Sequence, residues 1–138
     1  GSPSGGLYAT GEANASDWHH YLDRLFAPDR NLAALDESIE RMSAALGPPE
    51  GPHPVIIMIP HLSSQNEQFG DVDADGQRED VTTEAGRRRA WRWVVDEMLR
   101  RWEEREWRNI DLWGFYWMSE GIHPHQEADV KAMADYVH

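Results

Sequence analysis

The run Asn109-Ile-Asp-Leu-Trp-Gly-Phe-Tyr-Trp-Met-Ser-Glu120 decides how the rest of this chain is read. It is short, apolar, rich in aromatic and branched residues, and followed by the turn formers Gly121 and Pro124. That is the pattern of a strand buried in a parallel sheet. In α/β architectures the groups that do chemistry sit at the carboxyl ends of such strands, which makes Glu120 the first candidate functional residue.

A second strand is expected at Val55-Ile-Ile-Met-Ile59, ended by Pro60, and its lack of alternation predicts burial on both faces. Its carboxyl end carries His61, Ser63, Ser64 and Gln65. If the two strands are parallel neighbours, His61, Gln65 and Glu120 converge on one rim. Parallel neighbours need a crossover, and a helix from Thr83 to Trp107 supplies it, with Trp91, Val94, Val95, Met98 and Trp102 as the inward stripe. Its tryptophans are read as helix-to-sheet packing. Arg87-Arg88-Arg89 reads as a solvated helix start, although positive charge there opposes the helix dipole.

Two helices precede the strands. The first is capped by Ser16, carries Trp18, Tyr21, Leu22, Leu25 and Phe26 on one face, and stops at Pro28. The second runs from Asn31, with Leu32, Leu35, Ile39, Met42 and Leu46 on one face, and ends at Gly47-Pro48-Pro49. His19 and His20 point to different sides of the first helix, so they read as solvated or core-edge histidines rather than a metal pair. A last helix, about 126–137, places Val130, Met133, Ala134 and Val137 at helical spacing, and a further short strand is expected around Gly6-Leu-Tyr-Ala9. The order helix, helix, strand, helix, strand, helix predicts an α/β fold with a small parallel sheet and long amphipathic helices.

One domain is the expectation for 138 residues, spanning 11–138 after a linker or tag remnant at 1–10. The chain has no cysteine, which removes disulfides and thiolate metal sites. Thirteen Lys and Arg against 25 Asp and Glu leave a formal net charge of −12, a balance that opposes nucleic-acid backbones and anionic membranes as partners. No run reaches the length of a transmembrane helix, and no signal-peptide pattern opens the chain. Seven tryptophans are a heavy load, equally suited to core packing and to flat ligand faces.

Between the second strand and the long helix lies an acidic loop. Asp71, Asp73 and Asp75, followed by Gly76, reproduce the spacing by which a calcium loop folds carboxylates around a hard cation, and Glu79 or Asp80 would complete the shell. A structural Ca2+ held by Asp71, Asp73, Asp75 and Glu79 is therefore one expectation. The twelfth position is Thr82 rather than a bidentate Glu, and the other expectation is a hydrated acidic loop.

Several of these stretches together resemble a known family. Leu22 to Phe26, Leu35-Asp36-Glu37, Ile59-Pro60 with Gln65 and Phe69-Gly70, the Trp-rich helix, and above all Gly114-Phe-Tyr-Trp-Met-Ser-Glu120 are similar to the middle of a bacterial family, domain of unknown function 4855. The resemblance implies a TIM-like (β/α) barrel related to carbohydrate-active enzymes, here a partial barrel. It also implies a secreted or cell-surface bacterial protein with carbohydrate as its partner.

On that resemblance the expected activity is glycoside hydrolysis of a bacterial polysaccharide, which needs two carboxyl groups. Glu120, beside Tyr116 and Trp117, suits the acid or nucleophile role, because apolar neighbours raise a carboxyl pKa. Asp71 is the candidate second carboxylate, whereas Asp111, at the opposite strand end, reads as structural. His61, Gln65, Tyr116 and Trp117 are the expected substrate contacts. Strand alternation sends Tyr116 and Trp117 to opposite faces unless the strand has ended. The competing expectation is a non-catalytic carbohydrate-binding or assembly module with a calcium-stabilised loop. Its open sheet edges would pair with another copy or with the missing half of the barrel.

Overall fold

The computed structural model describes residues 12–118, 121–122 and 126–137. The elements are α1 (Ala15–Leu25), α2 (Leu32–Leu46), β1 (His53–Ile59), α3 (Glu84–Glu103), β2 (Ile110–Trp117) and α4 (Glu127–Val137). The expected order is present, and β1 and β2 form a two-stranded parallel sheet, so the architecture is α/β. The strand anticipated at Gly6–Ala9 lies outside the described residues.

The sheet carries an irregularity at its centre. Val55 pairs with Leu112 but Ile56 pairs with Gly114, which leaves Trp113 as an extra residue on β2. Gly114 has φ 156°, a value open to a residue without Cβ, and Trp113 stands 71% exposed beside it.

The core forms where α3 covers one face of the sheet. Trp91, Val94, Val95 and Met98 of α3 are buried together with Ile57 and Ile59 of β1, Trp18 and Leu22 of α1, Phe69, and Met133 of α4. Burying each such side chain stabilises the fold by about 1.5–3 kcal/mol. Trp18 meets Phe69 edge to face, with ring centroids 4.9 Å apart. At the amino end of the sheet, the buried Asp36 of α2 accepts the N–H groups of Arg108 and Asn109, at 3.2 and 2.8 Å, and so fixes where β2 begins.

The second face of the sheet is uncovered. Burial on both faces of β1 was the expectation, but Ile56 is 62% and Met58 41% exposed, because no described element packs on that side. The apolar stripe of α2 is likewise only partly used: Leu32 is buried, while Leu35, Met42 and Leu46 are exposed.

Three local details also differ from the sequence reading. Asn14, not Ser16, caps α1: its Oδ1 accepts the N–H groups of Ser16 and Asp17, at 2.9 and 3.3 Å, and Asp17 Oδ2 accepts the Asn14 N–H at 3.1 Å. This reciprocal box is possible because Asp17 stands three residues after Asn14. Helix α3 stops at Glu103 rather than Trp107, because the chain folds back: Trp107 Nε1 donates to the Trp102 carbonyl at 3.0 Å and the two rings stack at 4.7 Å. Finally, the arginine cluster is a solvated helix start only in part: Arg89 is exposed, whereas Arg87 is buried against Asp129 of α4.

Candidate functional site

Both strands end on the same side of the molecule, at Ile59 and Trp117. Beyond those ends lies a crevice too narrow for a water-sized sphere, lined by Ile59, Pro60, His61, Leu62, Trp91, Trp117, Met118 and Gln126. Four segments contribute. β1 delivers His61 directly after its last residue, β2 delivers Trp117 and Met118, α3 presents Trp91, and Gln126 immediately precedes α4.

The rings of Trp91 and Trp117 lie 4.8 Å apart at 57°. Trp91 is 1% and Gln126 5% exposed, yet Trp91 Nε1, Trp117 Nε1 and Gln126 Oε1 have no hydrogen-bond partner among the described residues. An unpaired buried polar atom costs about 1–3 kcal/mol. Trp18 Nε1 and His20 Nε2 are also unpaired among the described residues, and the crevice is distinguished by having three such atoms on the residues that line it.

Ion pairs set the position of α4 and therefore of Gln126. Asp129, fully buried, accepts Arg87 Nε at 2.7 Å and Arg88 Nε at 3.2 Å. Arg87 Nη1 donates to the Thr82 carbonyl at 3.0 Å, and Arg88 Nη2 to the Ala128 carbonyl at 3.3 Å. The first turn of α3, the turn before it and the first turn of α4 are thus held by one cluster of charges. Sequence reasoning missed this role. The signal was there, because basic residues at a helix start oppose the dipole and need an acidic partner from elsewhere.

The acidic loop is separate. Its neck is closed by Phe69 N–H to the Glu79 carbonyl at 3.1 Å and Glu79 N–H to the Gly70 carbonyl at 3.0 Å. Within it, one oxygen from each of Asp71, Asp73 and Asp75 falls within 4.8 Å of the others. The left-handed residues Ala74, φ 61°, and Gly76, φ 87°, make the tight path that gathers them. The same carboxylates accept backbone N–H groups: Asp71 takes Gly76 at 2.8 Å and Asp75 takes Gln77 at 2.7 Å. Burial alone would raise the Asp71 carboxyl, but the N–H groups of Gly76, Ala74 and Asp75 together hold it below the ordinary range. Three hard oxygens fit a divalent cation in chemical type. Glu79 does not join them: it is buried and its carboxylate receives Arg89 Nη2 at 2.7 Å.

Of the residues singled out in the sequence, the structure brings His61 and Trp117 together at the crevice and adds Trp91 and Gln126 to them. Gln65 is exposed and does not line it. Tyr116 points to the uncovered face, as alternation requires. Asp71 borders a different, open groove of about 530 Å³ shared with Asn14, Ser16, His19, Gln68 and Arg78. Glu120 lies outside the described residues.

A family model described as Domain of unknown function (DUF4855) matches residues 7–138. No curated protein and no solved structure matches the chain.

Proposed function

We propose, from the premise that this chain belongs to the family Domain of unknown function (DUF4855), that its strand ends form part of a carbohydrate site with glycoside-hydrolase chemistry. The observation that carries this reading is the crevice at the carboxyl ends of two parallel strands, walled by two tryptophans and a buried glutamine. In α/β proteins that is where ligands bind. The uncovered second face of the sheet supports a wider (β/α) barrel of TIM type, in which Ile56, Met58 and Tyr116 face the interior and further strands complete the ring.

In this reading Glu120, three residues after Trp117 in the sequence, is the acid or nucleophile, and His61 and Trp117 hold the sugar. Asp71 is the weaker partner, because it borders the other groove. The test is hydrolysis of a panel of bacterial polysaccharides. Activity should vanish in Glu120→Gln while the circular dichroism spectrum is kept, and activity indifferent to that change would remove Glu120 from the mechanism.

A second reading, a non-catalytic carbohydrate-binding module with a calcium-held loop, is favoured by the gathering of Asp71, Asp73 and Asp75. It expects the melting temperature to rise with added calcium and fall with chelator. A melting temperature unmoved by either would remove it.

A further inference from the structure

The three unpaired atoms of the crevice differ in kind. Trp91 Nε1 and Trp117 Nε1 can only donate, and Gln126 Oε1 accepts. They belong to residues of α3, β2 and the turn before α4, three separate parts of the chain that line the one crevice. Among the described residues no Lys, Arg, Asp or Glu lines the crevice, and its remaining walls are Ile59, Pro60, His61, Leu62 and Met118. A neutral group that donates once and accepts twice satisfies this set, and a hydroxyl does that.

We infer that the crevice is a subsite for one hydroxyl group of a neutral sugar, which accepts from Trp91 Nε1 and Trp117 Nε1 and donates to Gln126 Oε1. The inference rests on the carbohydrate reading and deepens it by naming the substrate group and two residues, Trp91 and Gln126, that bind it. The closed crevice is too narrow for water, so the hydroxyl enters as a side chain yields. Met118, 47% exposed and unbranched, is the lining residue free to swing. Binding then replaces three unpaired atoms by three hydrogen bonds, and an apolar ligand gains nothing there.

The experiment follows the indole N–H resonances of the ¹⁵N-labelled chain, assigned by Trp→Phe substitution, during titration with glucose, galactose, mannose and inorganic phosphate. At least one hexose should move the Trp91 and Trp117 signals saturably, and Gln126→Leu should weaken that binding at least tenfold. Because Gln126→Leu removes an unpaired buried oxygen, its melting temperature should not fall, and the titration of the unaltered chain decides even without it. Hexoses that move other resonances but leave Trp91 and Trp117 still would overturn the subsite while sparing the carbohydrate reading. Phosphate moving both signals as strongly would overturn it in favour of an anion site, with Gln126 presenting its amide N–H. No response anywhere to any hexose would sink both.

Discussion

Asp129 and Arg87 stand 42 positions apart in the chain and meet as a buried ion pair, Nε to Oδ2 2.7 Å, with the carboxylate fully enclosed. Removing one member of such a pair strands the other without water. Asp129→Ala should therefore destabilise the fold by about 3–5 kcal/mol. Replacing both residues by leucine should cost less than the two single changes added together, because neither charge is left alone. Urea denaturation of the four forms measures this. A loss below about 1 kcal/mol in Asp129→Ala would show that the pair is open to solvent.

Gly86 carries a second steric constraint at the start of α3. A Cβ built there falls 2.0 Å from the Asp80 carbonyl oxygen, which belongs to rigid backbone: Asp80 Oδ1 accepts the Thr82 N–H, and its carbonyl accepts Thr83 Oγ1 at 2.8 Å. Gly86→Ala, normally favourable within a helix, should here cost about 1–3 kcal/mol. Thr83→Ala, which removes the cap to Gly86 N–H and the Oγ1 hydrogen bond to the Asp80 carbonyl, should cost about 1 kcal/mol. Denaturation midpoints in that order support the clash, and a stabilised Gly86→Ala would refute it.

How much of this could be read from residues alone depends on what each pattern encodes. The parallel pairing of Val55–Ile59 with Ile110–Trp117 was legible because short apolar runs between turn formers report strands directly, and the intervening Trp91-Val94-Val95-Met98 stripe reports the crossover helix. Coverage of a face is another matter. Ile56 and Met58 are as apolar as Ile57 and Ile59, so only the neighbours actually present decide which pair is buried. Pairings between distant charges, such as Arg87 with Asp129, carry no local periodicity. The crevice was half legible: His61 and Trp117 followed from strand ends, whereas Gln126 needed the placement of α4.

Acid should weaken the helix surface at a defined point. The Glu97 carboxyl is lowered from 4.5 to about 2, first by its hydrogen bond to Arg100 and then, against partial burial, by Arg101. A depressed carboxyl contributes stability that is present above its unfolded value and is lost as pH falls through the folded one, here between about 4.5 and about 2. Arg100 is half exposed, so solvent screening limits the contribution to about 1 kcal/mol or less. Glu97→Gln should be less stable than the parent at neutral pH and should match it near pH 2. An equal deficit at both pH values would assign the effect to packing instead.

The uncovered sheet face yields the last expectation. Among the described residues each strand of the sheet has an open edge, Ile56, Met58 and Tyr116 add exposed apolar side chains on the uncovered face, and Trp113 adds another at the bulge. Free edges and contiguous apolar surface promote association, even against the repulsion of a net charge of −12. Sedimentation velocity should show a mass rising with concentration above the 15.9 kDa of one chain. Trp113→Ser should weaken that association, because the bulge turns its indole outward and its removal leaves the core intact, with a stability change within about 0.5 kcal/mol. Higher salt should strengthen the association by screening the negative charge. A chain that stays at 15.9 kDa at every concentration and salt would show that copies of itself do not cover this face.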